Sequence, residues 1–199
     1  MKPALVVLAA GASERLGRNK ALVRLGDSTI LEQHLAAGSG LDDVPPLVVT
    51  GKYHEEIAAH VVDRAECVFN PNWSEGRTGG IRLARERRPG RALLLAPVDV
   101  PAVPREVFDA LCARWLEAGA PENGWLAPSF EGRFGHPVVV GPALLERISE
   151  QDADLPLKTL RVQAEPLLAL ACDSAAILND LDTPEDLRAL ERDSDGRFT

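Results

Sequence analysis

A stretch near the start of the chain, LAAGASERLGRNK at residues 8–20, combines small residues with positive charges. Gly11 and Gly17 permit positive φ angles and let the backbone approach a ligand without a Cβ atom in the way. Successive backbone N–H groups in such a turn form a concavity that binds anions, and Arg15 and Lys20 bring full charges to its rim. These residue types predict a polyphosphate cradle; a surface loop with solvated charges is the alternative. The sequence contains neither a Walker P-loop nor the dinucleotide-binding glycine motif.

Carboxylates stand at two further points where they could act on a bound phosphate. Asp99 follows the apolar run at residues 91–98, and an unpaired charge is costly to bury. Beside phosphates, this carboxylate would bind Mg²⁺, which takes one or two protein carboxylates together with phosphate oxygens and water. The alternative is a loop aspartate that caps the next helix. Asp180 and Asp182 lie two residues apart, so an extended backbone points both side chains the same way.

Alternating apolar segments predict the elements that position these residues. Six runs are typical of buried strands and span residues 3–10, 45–50, 66–70, 91–98, 124–129 and 136–141. Helical spacing occurs at residues 28–38, 53–64, 78–88, 104–118 and 182–193. This alternation predicts an α/β fold, a Rossmann-like three-layer α/β/α arrangement with a mostly parallel sheet, whose ligands bind at the carboxyl ends of the strands. We expect one domain over residues 1–193, followed by a polar tail at residues 194–199.

Charge and composition restrict the classes of partner. The chain has 199 residues and a formal net charge of −8, which argues against broad nucleic-acid binding. No apolar run approaches the ~20 residues of a membrane span. The three cysteines lack the spacing of a zinc site or a redox pair. We therefore expect free thiols, a cytoplasmic location, and neither a membrane nor a nucleic acid as partner.

The loop at residues 8–20 fits the pattern L-A-A-G-x-S-x-R-x-G-x-x-K. It resembles the signature loop of the nucleotidyltransferases that are similar to the molybdenum cofactor cytidylyltransferases, and motifs in that family's order extend from Leu5 to Leu190. The resemblance implies a fold of the nucleotide-diphospho-sugar transferase type, with Arg15 and Lys20 as catalytic residues at the phosphates of a nucleoside triphosphate. It implies these nucleotide-binding residues: Leu8, Ala9, Ala10, Gly11, Ser13, Gly17, Asn70 and Thr78. Ala10 stands where the guanylyltransferase branch usually has glycine, which favours CTP.

Two motifs in the middle of the chain carry the same resemblance. NPNWSEG, at residues 70–76, is similar to the family's N-P-x-W-x-x-G, but RTGG then replaces the usual serines. Thr78 is expected to stand in for one serine hydroxyl. RFGHP, at residues 133–137, is similar to R-x-G-H-P and implies that His136 contacts the acceptor substrate; a structural histidine is the alternative.

The resemblance also implies two metal ligands. PVDVP keeps the family's aspartate, which implies that Asp99 is both a catalytic carboxylate and a ligand of Mg²⁺. DLDTPED, at residues 180–186, is similar to the family's D-x-D-T-P-E-D. It implies Asp182 as the second ligand, with Asp180 as the next choice. A helix-start role for Asp182 is the alternative.

These resemblances imply transfer of a nucleotidyl group, with Mg²⁺ as cofactor. CMP would move from CTP to the phosphate of a molybdopterin-type cofactor, with release of pyrophosphate. A molybdoenzyme or its chaperone is the expected protein partner. The alternatives are a sugar phosphate, phosphocholine or a polyol phosphate as acceptor, or a catalytically weak nucleotide-binding protein.

Several charged residues outside these motifs have structural interpretations. We expect a solvated helix surface for the arginines at positions 82, 85, 87, 88 and 91, and helix-surface positions for His34, His54 and His60. The segment at residues 152–166 contains Lys158 and Arg161 between apolar residues. This segment either helps to bind the acceptor's phosphate or forms an amphipathic helix.

Overall fold

The computed structural model describes residues 1–150 and 157–195. Its strands are β1 (Ala4–Ala9), β2 (Arg24–Leu25), β3 (Ser28–Thr29), β4 (Leu47–Thr50), β5 (Glu66–Phe69), β6 (Leu93–Pro97), β7 (Trp125–Phe130), β8 (Arg133–Phe134), β9 (Val138–Val140) and β10 (Leu167–Ala171). Its α-helices are α1 (Ile30–Ala37), α2 (His54–His60), α3 (Arg77–Arg87), α4 (Arg105–Glu117), α5 (Pro142–Glu146), α6 (Lys158–Arg161) and α7 (Pro184–Asp195). Short 3-10 helices lie at Lys20–Leu22, Trp73–Glu75, Arg147–Glu150 and Ala175–Leu178.

Eight of these strands form one sheet, in the order β10-β7-β9-β6-β1-β4-β5, with β8 paired to β7. Strands β6, β1, β4 and β5 are parallel to one another, and β10 is parallel to β7. Strand β9 is antiparallel to both β6 and β7. The predicted mostly parallel sheet is therefore confirmed. The apolar run at residues 136–141 supplies the antiparallel strand β9, and β8 is antiparallel to β7.

Side chains of β1 alternate between two hydrophobic clusters, one on each side of the sheet. Leu5 and Val7 pack with residues of α1, α4 and α7, whereas Val6 packs with residues of α3 and α5. Each fully buried aliphatic side chain contributes about 1.5–3 kcal/mol. Helices thus cover both faces, which confirms the predicted three-layer Rossmann-like fold, and the packed layers hold the loops at the sheet edge.

Some predicted surface residues are buried instead. Arg88 is 8% exposed and donates from Nη1 to Glu66 Oε2 at 2.7 Å, and Arg91 pairs with Asp42. His34 is also buried, with Nδ1 2.9 Å from the carbonyl oxygen of Ile30. The surface interpretation was wrong for Arg88 and His34, which are buried, and Arg91 is largely covered. Each arginine pairs with an acid distant along the chain, whereas His34 contacts a carbonyl group of its own helix.

Other expectations concern the chain's segments and thiols. Cys67, Cys112 and Cys172 are free thiols, as expected. Helix α7 continues to Asp195, and residues 196–199 of the predicted tail lie outside the described residues. Of the segment at residues 152–166, residues 152–156 also lie outside them. In the described part of the chain, no helix is both long and apolar enough to cross a bilayer.

Candidate active site

A cavity of about 890 Å³ opens at the sheet edge where β1 and β6 end. Ten residues of the site predicted from the sequence line it: Leu8, Ala9, Ala10, Gly11, Ser13, Lys20, Asn70, Asp99, His136 and Asp182. Arg15 lines an adjoining space of about 270 Å³ with Ser13, Lys20 and Asp182. Gly17 and Thr78 line neither space. Segments far apart in the sequence therefore converge at the carboxyl edge, as the fold requires.

Local hydrogen bonds shape the loop after β1. Ser13 and Gly17 have φ angles of 52° and 75°, and the Gly17 N–H donates to the Ser13 carbonyl oxygen at 2.9 Å. The Asn19 side chain accepts from the Ala21 N–H at 3.2 Å and caps the 3-10 helix that begins at Lys20. Gly17 thus closes the turn, while the short helix fixes the backbone that carries Lys20.

A second segment, after β4, supports this loop from outside it. The Tyr53 hydroxyl donates to the Ala12 carbonyl oxygen at 3.2 Å. A Cβ atom at Gly51 would lie 2.2 Å from the Ala10 carbonyl oxygen and 2.5 Å from Trp73 Cβ, so only glycine fits this contact. Neither Gly51 nor Tyr53 was predicted from the sequence to belong to the site. A glycine directly after an apolar strand was the signal available.

Asp182 joins the two predicted phosphate-binding cations. Its Oδ1 accepts from Lys20 Nζ at 2.6 Å, and its Oδ2 accepts from Arg15 Nη2 at 2.6 Å. The hydrogen bond from Lys20, followed by its charge and that of Arg15, lowers the pKa of Asp182. We call these three side chains the cation clamp. In this arrangement, the clamp holds an anionic charge where a phosphate is predicted to bind.

The start of α7 fixes the backbone of Asp182. Asp186 Oδ2 accepts from the Asp182 N–H at 3.0 Å and from the Thr183 N–H at 2.7 Å. Thr183 Oγ1 accepts in turn from the Asp186 N–H at 3.2 Å. This reciprocal capping satisfies N–H groups that a helix start leaves unpaired. Thr183 and Asp186 therefore do the capping, which leaves the Asp182 carboxylate free for the clamp.

Asp99 has one engaged and one unengaged carboxylate oxygen. Its Oδ2 accepts from Arg77 Nη2 at 2.8 Å. Its Oδ1 is buried and has no hydrogen-bond partner within residues 1–150 and 157–195. The Asp99 carbonyl oxygen accepts from the Leu181 N–H at 2.7 Å, which ties the two aspartate segments together. Arg77 was not assigned a role from the sequence, although it begins the RTGG departure from the family pattern.

The three aspartates lie close enough to influence one another. Partial burial, followed by the negative charges of Asp99 and Asp182, raises the pKa of Asp180. A cation nearby would relieve this repulsion. Among the residues that the structure describes, no group of three or more histidine, cysteine or acidic side chains could hold a metal alone. The unpartnered oxygen of Asp99 fits an ion that takes one or two carboxylates and completes its ligands from phosphate and water.

His136 lies beside Asp99 and Arg77 in the cavity lining. Its Nδ1 is buried and has no partner in the described part of the chain. Burial lowers the pKa of His136; the charge of Asp99 opposes this effect, and that of Arg77 adds to it. The ring is therefore neutral near pH 7. Its backbone N–H donates to the Ile177 carbonyl oxygen at 2.9 Å, which holds the residue against the segment before Asp180.

The segment around α3 is arranged around a buried amide. Asn70 is 4% exposed, and its Oδ1 accepts from the Asn72 N–H at 3.1 Å. Its Nδ2 is buried and unpartnered within the described ranges, and it lies near Gly79 and Gly80 in the first turn of α3. Thr78 is buried in that turn, away from the cavity lining. Of the two predicted contacts from this segment, only Asn70 reaches the cavity.

Known structures share this architecture. A structure titled a nucleotidyl transferase from Methanothermobacter superposes with a TM-score of 0.81 at 18% identity, covering 98% of this chain and 99% of that one. Molybdopterin-guanine dinucleotide biosynthesis protein A from Archaeoglobus fulgidus gives 0.74 at 18% identity, with 97% and 99% covered. Rv0371C of Mycobacterium tuberculosis, in complex with manganese, gives 0.75 at 23% identity, with 96% and 99% covered. These similarities establish the fold.

The amino-acid sequence shows the protein family to which the chain belongs. A comparison with curated proteins found no match. The family described as the MobA-like NTP transferase domain matches residues 5–167, which include the loop after β1, Asn70, Asp99 and His136. The chain belongs to the MobA-like NTP transferase family and is a nucleotidyltransferase.

Proposed function

We propose that this protein transfers CMP from CTP to the phosphate of a molybdopterin-type cofactor and releases pyrophosphate. The observation that carries the proposal is the convergence of three groups at the cavity and the space that adjoins it: Arg15, Lys20 and the Asp99 Oδ1 atom, which has no partner among the described residues. Cations for a polyphosphate and a carboxylate for a metal ion are the groups that phosphoryl transfer requires. The family match supports nucleotidyl transfer, and the residue types in the cavity support the choice of substrates.

The nucleotide end of the cavity is built from the loop after β1 and the segment around Asn70. Leu8, Ala9 and Ala10 offer apolar surface for a base, and the Asn70 amide offers an N–H donor that has no partner in the described part of the chain. Ala10 adds a methyl group where the guanylyltransferase branch has none. This methyl group reduces the room for a purine, so we favour CTP.

The charged residues bind and orient the triphosphate. Lys20 and Arg15 would exchange Asp182 for phosphate oxygens, because a triphosphate carries more negative charge than one carboxylate. Asp99 and Asp182 would hold Mg²⁺, and the ion would neutralise the negative charge that develops on the phosphates. The manganese complex of Rv0371C supports the use of a divalent cation by this fold.

The chemical step needs no covalent enzyme intermediate. An oxygen of the acceptor's phosphate forms a bond to the α-phosphorus of CTP. The bond from that phosphorus to the oxygen bridging to the β-phosphorus breaks, and pyrophosphate leaves with the electron pair. Positioning and preorganised charge supply most of the acceleration in this kind of reaction. His136, neutral and adjacent to Asp99, would hydrogen-bond the acceptor.

Pyrophosphate release tests this proposal. CTP, GTP, ATP and UTP are each incubated with Mg²⁺ and with a molybdopterin-type cofactor, glucose 1-phosphate or phosphocholine. We expect the fastest release from CTP with the molybdopterin-type cofactor, and its loss in Asp99→Asn. Glu185→Gln, which removes an exposed carboxylate at the start of α7, is the matched control and should retain activity. Nucleotide binding without release for any acceptor would instead indicate a binding protein without turnover.

A further inference from the structure

Arg77 begins helix α3 at a position that local electrostatics disfavour. The N-terminus of a helix carries partial positive charge and favours acidic side chains. The first turn of α3 has the sequence RTGG, without an acid, and in the described part of the chain no side chain caps this end of the helix. Because natural sequences break such local rules mainly at functional sites, the reason for an arginine here lies outside its own helix.

The Arg77 side chain closes one side of the Asp99 carboxylate. Its Nη2 donates to Asp99 Oδ2 at 2.8 Å, and both residues line the cavity. The exposed fraction is 74% for the side chain of Arg77 and 17% for that of Asp99. The guanidinium therefore covers a largely buried carboxylate from the solvent side. Because an ion pair with an exposed partner contributes little to stability, the guanidinium can leave Asp99 at small cost.

The same guanidinium acts on the other groups around Asp99. Burial is the main cause that lowers the pKa of His136, and the charge of Arg77 adds to it. Burial, followed by the charges of Asp99 and Asp182, raises the pKa of Asp180, and the charge of Arg77 opposes that rise. Arg77 thus lies beside the acidic groups that are proposed to bind a divalent cation. A free divalent cation must overcome both the hydrogen bond to Asp99 and the repulsion from the guanidinium.

Both proposed metal ligands are paired with cations in the free protein. The cation clamp holds Asp182, and Arg77 holds Asp99. A divalent cation that arrives alone takes these carboxylates from the side chains that hold them. A metal–triphosphate complex also brings phosphate oxygens, to which the same side chains can transfer. Arginine suits this transfer because its planar set of donors matches the oxygens of a phosphate as well as those of a carboxylate.

We propose that Arg77 pairs with Asp99 in the free protein and exchanges this carboxylate for a phosphate oxygen when the metal–nucleotide complex binds. The inference rests on the proposed function, in which Asp99 is a metal ligand, and it extends that function by assigning a role to Arg77. In this role, Arg77 weakens the binding of a free divalent cation and strengthens the binding of the metal–nucleotide complex. A residue that only supports the fold would change both affinities in the same direction.

Two affinities of Arg77→Gln test the exchange. Mn²⁺ is the probe, since carboxylate and water ligands suit Mn²⁺ as they suit Mg²⁺. Electron paramagnetic resonance measures the binding of Mn²⁺ alone, and calorimetry at saturating Mn²⁺ measures the binding of CTP. We expect Arg77→Gln to bind Mn²⁺ about fivefold more tightly than the original chain, the effect of removing one partly exposed ion pair. We expect it to bind CTP about tenfold more weakly, because a hydrogen bond between charged groups is lost.

Three further variants make the result specific. Arg77→Lys keeps the positive charge, so both affinities should stay closer to those of the original chain than in Arg77→Gln. Arg85→Gln removes one charge from the same helix at a position outside the cavity lining, and it should change neither affinity. In an Asp99→Asn background, Arg77→Gln should no longer tighten the binding of Mn²⁺, because the gain depends on the Asp99 carboxylate. Since the Arg77 side chain is exposed, its variants should fold as the original chain does, which circular dichroism checks.

Unchanged or weaker binding of Mn²⁺ alone in Arg77→Gln would overturn the exchange, as would unchanged or tighter binding of CTP at saturating Mn²⁺. If either result is found while the original chain binds CTP with Mn²⁺, the exchange fails and the proposed function stands. If the original chain binds no CTP in the presence of Mn²⁺, the proposed function itself is refuted, and the exchange is refuted with it. Neither measurement involves an acceptor, so the identity of the acceptor does not affect the outcome.

Discussion

Asp182→Asn tests whether the cation clamp competes with a bound triphosphate. Asp182 holds Lys20 Nζ and Arg15 Nη2, each at 2.6 Å. The substitution keeps the size of the side chain but removes its negative charge. Lys20, with only 11% of its side chain exposed, then has no charged partner among the described residues of the free protein. The clamp then no longer occupies the two cations that are proposed to bind phosphates.

The expected magnitude follows from the exposure of each partner. Hydrogen bonds to charged groups contribute about 1.5–3 kcal/mol. The Arg15 side chain is 70% exposed, so its pair adds little. We expect the free energy of unfolding to fall by about 2 kcal/mol. For a chain of this length, that loss lowers the Tm by about 4–8 °C.

The affinity for metal-free nucleotide should rise, although the stability of the protein falls. Each 1.4 kcal/mol corresponds to about a tenfold change in affinity. Since an amide competes less well than a carboxylate for Lys20, we expect CTP without metal to bind Asp182→Asn about tenfold more tightly. With Mg²⁺ present, turnover should fall, because Asp182 is the proposed second metal ligand.

Thermal unfolding and calorimetry measure these effects, with Glu185→Gln as the control. The pKa of Asp182 is lowered in the folded chain from its ordinary value of 3.8. The carboxylate's contribution to stability is therefore fully present above pH 3.8 and is lost as the pH falls through the lower folded value. The difference in stability between the original chain and Asp182→Asn should therefore shrink as the pH falls through this lower value. An unchanged Tm at pH 7, or weaker metal-free binding of CTP in the variant, would refute the clamp.

Four further substitutions test individual parts of the site. Lys20→Ala should lower kcat about 10²–10³-fold, as loss of one preorganised donor does; a change in KM alone would limit Lys20 to binding. Asp99→Asn should lower turnover at least about 100-fold with unchanged circular dichroism, and full activity would reject its metal role. Ala10→Gly should shift the CTP-to-GTP preference in kcat/KM toward GTP by up to about tenfold; an unchanged ratio would separate Ala10 from base selection. Gly51→Ala should destabilise the chain by about 1–3 kcal/mol, because its Cβ would meet the Ala10 carbonyl oxygen, and should raise KM for CTP; normal stability would contradict the close packing.

Much of the fold could be predicted from hydrophobic patterning. Parallel strands buried on both faces are continuous apolar runs, and β1 and β6 lie within the predicted runs at residues 3–10 and 91–98. Because the carboxyl ends of such strands share one sheet edge, Asp99 was also predicted to lie near the loop after β1. The antiparallel direction of β9 could not be predicted, since an apolar run carries no information about direction.

The contacts within the site were harder to predict. The pairing of Arg77 with Asp99 joins residues 22 positions apart, and that of Lys20 with Asp182 joins residues 162 apart. No spacing rule covers such distances. The role of Gly51 depends on the close approach of Ala10 from another strand, which becomes visible only when β1 and β4 are paired.

A structure of the protein with CTP and Mg²⁺ tests the central claim most directly. We predict triphosphate oxygens within hydrogen-bonding distance of Lys20 Nζ and Arg15 Nη2, with the metal ion on Asp99 Oδ1. Phosphates bound away from residues 11–20, with the Lys20–Asp182 and Arg15–Asp182 pairs still intact, would contradict it.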